Sequence, residues 1–314
     1  MNVPSLIGLD IGGTKTAVVC GTPRGEILWR TQFATSPERG FEQTFAELTR
    51  TVEESLERES RSPQALSVSI GGPLDVLKGV IKSPPNLPGW NEIPLKEMLA
   101  ERFGLPVFVE HDGNAGALAE HFFGAGRGAR NLVFLTLGTG FGAGLIFNGA
   151  LYRGTTDTAG EIGHIRAAED GPASYGKRGS FEGFTSGGGI ARLAEEMFPG
   201  RWTDPSVPAL HAAFRQGSVE AGKVFARASV YLGRALAMLI DLLNPERIIL
   251  GGLGMRLRDV LVDPAMHVAR DEALPGAMAA CAVVPAALGE AIGDYAALCA
   301  ALDQGGFREK DQNR

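Results

Sequence analysis

Twice in this chain an apolar run ends in a glycine turn and resumes at once as a second apolar run. Leu6 to Leu9 leads through Asp10-Ile11-Gly12-Gly13-Thr14-Lys15 into Thr16 to Gly21. Leu132 to Leu137 leads through Gly138-Thr139-Gly140-Phe141-Gly142 into Ala143 to Phe147. Strand, glycine turn, strand is the pattern of a hairpin. It excludes the P-loop, which needs Gly-Lys-Ser/Thr opening a helix, and the dinucleotide fingerprint, which also passes from strand to helix. A glycine turn lets backbone N–H groups approach an anion because no Cβ stands in the way. One such hairpin alone is an ordinary tight turn. Two of the same order and chemistry suggest duplicated halves facing each other across a cleft.

The rest of the chain alternates helix and strand. Phe41, Phe45, Leu48, Val52 and Leu56 recur at helical spacing and predict an amphipathic helix over 41–57. Ala65 to Ile70 reads as a buried strand ending in Gly71-Gly72-Pro73, Val107 to Val109 as another, and Asp112 to His121 as a helix. The segment 83–94 holds four prolines and reads as an extended loop. A long helix is expected from Val219 to Leu243, stopped by Asn244-Pro245. After it come a strand, Arg247 to Leu250, and a third glycine turn, Gly251-Gly252-Leu253-Gly254. This order makes an α/β chain. The expected division is a small α/β domain over 1–116, completed by a C-terminal helix at 291–304, and a large α/β domain over 117–290.

Composition narrows the class. With 44% hydrophobic and 21% charged residues, the 314-residue chain has ample material for a core and is no disordered segment. A net charge of −6 argues against nucleic-acid and membrane-surface binding, which rely on a basic face. The 43 glycines are about twice the ordinary share of ~7% and gather in turns without a period, which excludes collagen. Three scattered cysteines, Cys20, Cys281 and Cys299, make neither a disulfide framework nor a cysteine-rich zinc site. No basic leader and no run of about 18 apolar residues is present, so the chain reads as cytoplasmic and soluble.

The three turns are spaced like the phosphate-1, phosphate-2 and adenosine segments of the actin/hexokinase ATPase fold, in which two ribonuclease-H-like domains surround a cleft. Around them stand Pro85-Asn86-Leu87-Pro88-Gly89-Trp90, Glu110-His111-Asp112-Gly113-Asn114-Ala115, Ala159-Gly160-Glu161-Ile162-Gly163-His164 and Leu243-Asn244-Pro245-Glu246. In this order, from about residue 6 to 302, they resemble the ROK family of bacterial sugar kinases, glucokinases among them. The resemblance implies ATP and Mg²⁺ as cofactors, a sugar as acceptor, and domain closure that keeps water from the ATP. Homodimers are common in the family.

Phosphoryl transfer asks the protein mainly for positioning and charge neutralisation. By the resemblance, Asp10 holds Mg²⁺ directly or through water, since Mg²⁺ keeps several waters. Gly12, Gly13, Thr14 and Lys15 meet the phosphates, as do Gly138, Thr139 and Gly140, while Gly251 and Gly252 meet the adenosine. Lys15 reads equally as a solvated turn residue. Asp112 matches the family's general base, which takes the proton of the attacking hydroxyl; as the residue opening a helix it also reads as an N-cap. Glu161, His164 and Glu182 match the family's sugar-binding side chains, and Gly72, Asn86 and His111 lie in segments lining the same pocket. Glu182 alone would read as a surface acid on the following helix.

Two departures stand out. Many ROK proteins bind zinc through the histidine of Glu-x-x-Gly-His and three cysteines in Cys-x-Cys-Gly-x-x-Gly-Cys. Here those cysteine positions are Ala173, Tyr175 and Ser180, so only His164 of about four required ligands remains. No zinc is expected, and Tyr175 and Phe181 are expected to pack in its place. The second is His111, where most relatives have asparagine; its imidazole can still donate to a sugar hydroxyl, or it points away and only its backbone matters.

The leading expectation is an ATP-dependent kinase for the 6-hydroxyl of a hexose, with glucose first because Pro-Asn-Leu-Pro-Gly-Trp at 85–90 resembles the glucokinase loop. The alternatives are a kinase for N-acetylmannosamine, N-acetylglucosamine, fructose or another sugar, and a non-catalytic sugar-binding protein. A sugar-sensing repressor of the family carries a helix-turn-helix ahead of the first glycine turn, and here Asp10 comes after nine residues.

Overall fold

The computed structural model describes residues 4–58 and 62–308. The chain divides into two compact units, one running to Phe123 and resuming at Glu290, the other spanning Gly124–Gly289. The helix Asp112–Phe123 stays whole in the first unit, so the change-over falls at its C-terminal end rather than at 116.

The first unit carries β1 (Ser5–Ile11), β2 (Lys15–Gly21), β3 (Ile27–Ala34), β4 (Pro63–Ile70), a small ribbon of β5 (Leu74–Asp75) and β6 (Val80–Ile81), and β7 (Val107–His111). The main sheet has the order β3-β2-β1-β4-β7. β2 is antiparallel to β1 and β3, whereas β1, β4 and β7 run parallel. Side chains alternate across a strand, and β1 buries both faces. Ile7, Leu9 and Ile11 pack with Phe41, Leu48 and Val52 of the helix Gly40–Arg58. Leu6 faces the other way, onto Ala297, Leu298 and Ala301 of the C-terminal helix Ile292–Gln304. Gly8 lies on that second face, where a Cβ would stand 2.9 Å from Ala297. Glycine is required there for the helix to approach.

The second unit repeats the scheme with β8 (Leu132–Leu137), β9 (Phe141–Phe147), β10 (Ala150–Leu151), a ribbon of β11 (Ala173–Ser174) and β12 (Lys177–Arg178), β13 (Arg247–Leu250) and β14 (Ala282–Pro285). Its sheet has the order β10-β9-β8-β13-β14, again with an antiparallel hairpin followed by two parallel strands. The helix Val219–Leu243 packs on it, capped at its start by Ser218, which accepts from the Ala221 N–H at 3.2 Å. It ends where Asn244 turns left-handed at φ 43°, ahead of Pro245. Among the described residues, no helix is long and apolar enough to cross a membrane.

Candidate active site

In the first unit the 10–15 turn joins β1 to β2. Its backbone closes through the Gly12 N–H donating to the Lys15 carbonyl at 3.1 Å, and buried Thr35 braces it by donating to the Gly12 carbonyl at 2.6 Å. Thr14 and Lys15 are exposed at the tip. Gly13 touches the 85–90 loop so closely that a Cβ would lie 2.6 Å from the Asn86 carbonyl. Leu87 and Trp90 anchor that loop in the core, Trp90 edge-on to Phe41 at 5.0 Å, and leave Asn86 exposed.

Asp10, half-buried at the end of β1, is electrically exposed to its neighbours. Burial pushes its carboxyl up to about 6, Asp112 adds to the shift and Asp294 contributes further, against the opposing pull of Lys15 and Arg30. Such an incompletely neutralised carboxylate fits a cation that takes one protein oxygen and completes its shell with water and phosphate oxygens. Among the described residues no group of three or more His, Cys, Asp or Glu side chains forms a metal cage.

The 110–114 segment carries β7 into a helix. Asp112 opens that helix with its side chain 56% exposed, and its Oδ1 accepts from the Gly113 N–H at 2.7 Å. Asp112 is thus the first residue of the helix, with one carboxylate oxygen bonded to the following N–H. The His111 ring does not point away. Its Nδ1 accepts from the Gly113 N–H at 3.3 Å and lies 3.2 Å from Asp112 Oδ1, and its other edge lies against Gly72, where a Cβ would stand 2.7 Å from the ring.

Glu110, which sequence reasoning left without a role, organises this segment. Fully buried, it accepts from the His111 N–H and the Asn114 amide, each at 3.0 Å, and from the Gln304 amide at 3.3 Å. The signal available in the sequence was a charged residue in an otherwise apolar strand. Glu110→Ala strands these donors, and each unsatisfied buried group costs about 1–3 kcal/mol. The expected result is a denaturation midpoint well below wild type in urea or thermal melts.

In the second unit the Gly138-Thr139-Gly140 turn is held from behind. The Gly187 N–H donates to the Gly138 carbonyl at 2.8 Å, and the Gly188 N–H to the Thr139 carbonyl at 3.4 Å. These glycines open the helix Gly187–Met197, capped by Ser186; its sequence signals are that serine and the helical spacing of Ile190, Leu193, Ala194 and Met197. Gly251 donates to the Leu135 carbonyl at 2.8 Å, and at Gly252, φ 57°, a Cβ would strike the Leu137 carbonyl. The second and third glycine turns thus abut.

The 160–164 turn hangs on β9. Gly160, at φ 97°, offers its carbonyl to the Ala143 N–H at 2.9 Å, and at Gly160 and Gly163 alike a Cβ would collide with a β9 carbonyl. The chain is thereby pinned on each side of Glu161, which is exposed, and His164, which is half-buried. Glu182 is no surface acid. It is buried in the helix Phe181–Thr185, with Oε2 accepting from the Phe141 N–H at 3.0 Å and Oε1 from the Ser174 hydroxyl. At the positions matching the family's cysteines, Ala173 lies in β11, Tyr175 stacks on the His164 ring at 4.7 Å and 29°, and Ser180 caps the Glu182 helix. Phe181 is buried in the core.

A groove of about 560 Å³ in the same unit is lined by Met255, Arg258, Met266, His267, Arg270 and Val283 among others. It contains none of the candidate site residues.

The chain is 34% identical over 302 residues to a glucokinase of Thermotoga maritima, covering 92% of this chain and 94% of that one. A ROK hexokinase from Thermus thermophilus superposes with a TM-score of 0.85 at 32% identity, over 96% of this chain and 99% of the other. A ROK family glucokinase from Streptomyces griseus, solved with glucose and AMPPNP, does so at 0.78 and 32%, over 96% and 100%. A xylose repressor of Caldicellulosiruptor bescii also matches, at 28% identity over 80% of this chain and 66% of its own. Both hexokinase structures have the actin/hexokinase-like ATPase fold that the repeated sheet order describes. The family match spans residues 6–302, from the first glycine turn to the C-terminal helix, and the chain belongs to the ROK family.

Proposed function

We propose that the chain transfers the γ-phosphoryl group of ATP to the 6-hydroxyl of a hexose, glucose first, with Asp112 as general base. The sugar-kinase class rests on the glucokinase relative and on the glucose and AMPPNP complex of the Streptomyces griseus neighbour. The observation that carries the finer reading is the Asp112 carboxylate. One oxygen is tied down by the Gly113 N–H, and the other is free to accept a hydroxyl proton at a half-exposed helix start.

In this reading Glu161, His164 and Glu182 hold sugar hydroxyls, and Gly72, Asn86 and His111 also serve sugar binding. The buried Glu182 discriminates by what it leaves unpaired when a hydroxyl is missing. The turn at 12–15 and the turn at 138–140 take the phosphates, and Gly251-Gly252 the adenosine. Asp10 would hold Mg²⁺ through its water shell; the cation supplies neutralisation of phosphate charge. Asp112 receives the proton as the acceptor oxygen attacks, and exclusion of water keeps the phosphoryl group for the sugar.

The test is ADP release with Mg²⁺-ATP against glucose, mannose, fructose, N-acetylglucosamine and N-acetylmannosamine. Glucose is expected to exceed the others in kcat/KM. Another sugar in first place replaces the acceptor and keeps the kinase. No turnover with any of them removes the catalytic reading and leaves a sugar-binding protein.

A further inference from the structure

We propose that Ser174 and Tyr175, neighbours on the β11–β12 hairpin, are positioning residues that fix the side chains of Glu182 and His164 by a hydrogen bond and a ring stack, without a metal. The inference rests on the reading of Glu182 and His164 as sugar ligands.

The buried Glu182 carboxylate has both oxygens engaged, Oε1 by the Ser174 hydroxyl and Oε2 by the Phe141 N–H at 3.0 Å. A carboxylate offers about four lone-pair positions, so two donors orient it and leave acceptor capacity for sugar hydroxyls. Ser174 is itself almost fully buried, and its hydroxyl is spent on this one partner. The neighbouring Tyr175 covers a face of the His164 ring at 4.7 Å. A face-on stack fixes the ring plane while leaving both ring nitrogens, which lie on its edge, for hydrogen bonds.

The hairpin is built to hold these two residues in register. Ser174 pairs with Lys177 and Ala173 with Arg178, joined by a two-residue turn of Tyr175 at φ 47° and Gly176 at φ 74°. Positive φ at both positions is the turn that suits a tight hairpin, but for an aromatic residue it is strained, and the surrounding structure must enforce it. Arg178 supplies that anchorage, pairing with Asp170 and lying 3.2 Å from Glu196. Ser180, capping the Glu182 helix, fixes the far end of the loop.

The experiment measures steady-state kinetics with glucose and Mg²⁺-ATP on the full chain, before and after dialysis against EDTA with Mg²⁺ restored. Ser174→Ala is expected to raise KM for glucose about tenfold, the equivalent of one lost hydrogen bond to a charged group. Its kcat changes little and its KM for ATP stays, because the Phe141 bond persists. Ser174→Thr, which keeps the hydroxyl, restores KM. Tyr175→Ala raises KM and Tyr175→Phe does not. Dialysis changes none of these values. Glu182→Gln runs alongside. If it raises KM while Ser174→Ala and Tyr175→Ala do not, the positioning role is overturned and the sugar ligand stands. If Glu182→Gln leaves KM unchanged, the reading of the ligand falls and the inference with it. Stoichiometric zinc whose removal raises KM also overturns it, since a metal would then hold the loop. Should Ser174→Ala melt far below wild type, the Tyr175 pair decides, because that side chain is exposed and its loss leaves the core intact.

Discussion

Asp112→Asn is expected to lower kcat by about a thousandfold, within the range that a general base contributes, while glucose still binds. Asparagine keeps an oxygen for the Gly113 N–H that Asp112 Oδ1 now accepts at 2.7 Å, so the helix start survives and the melting temperature should not fall. What is lost is the oxygen able to take a proton. Steady-state turnover, with glucose titrated calorimetrically against the variant, separates the two effects. Retention of more than a tenth of the activity would assign the base elsewhere. The substitution has a second consequence next door. Asp112 is one of the groups that hold the Asp10 carboxyl high, so its neutralisation lets Asp10 ionise at lower pH.

Asp10→Asn should act in opposite directions on stability and on activity. A carboxyl raised from 3.8 to about 6 by folding is favoured in its protonated form. Its penalty is absent below the unfolded value, grows as pH rises, and is complete above about 6. At pH 8 the ionised group then costs at most about 3 kcal/mol at ~1.4 kcal/mol for each pKa unit. Asparagine removes that penalty, so without nucleotide the variant melts above wild type at pH 8, and the gap closes toward pH 4. Activity moves the other way, because the charge that would hold Mg²⁺ is gone: kcat/KM for Mg²⁺-ATP is expected to fall about a hundredfold or more. Thermal melts across pH, paired with kinetics at varied Mg²⁺, check both signs. A variant less stable than wild type at pH 8 would mean that Asp10 is satisfied as an anion in the free protein.

The hairpins were readable because each needs a glycine turn between two apolar runs, and β1–β2 and β8–β9 lie where those turns put them. The long helix was equally plain, since an apolar stripe of that length ends at Asn244-Pro245. Seven strands went unread: the two-residue strands β5, β6, β10, β11 and β12, and two longer ones. β3, with Arg30 and Gln32 in its middle, alternates half-exposed and exposed positions, and β14 is a short outer strand with little buried surface. The helix Gly187–Met197 hid behind three glycines, which argue against a helix unless the Ser186 cap and the contact with the 138–140 turn are known. At the site, spacing and family resemblance named the polar residues but could not supply their supports. Glu110 reaches Gln304 far along the chain and Ser174 meets Glu182 across a turn, contacts that the residue types alone do not announce.

The C-terminal helix closes a sheet whose first strand is made almost three hundred residues earlier. During synthesis Leu6, Val19 and Ala65 lack the cover of Ala297, Leu298 and Ala301 until that helix has left the ribosome. Gly124–Gly289 is continuous and holds its own core, so it has all its contacts while the first unit still lacks one face. Domains fold as units as they emerge, and here the order is inverted: the segment made first is completed last. A nascent chain stalled before residue 292 would therefore present an apolar sheet face to chaperones, however long it has been waiting.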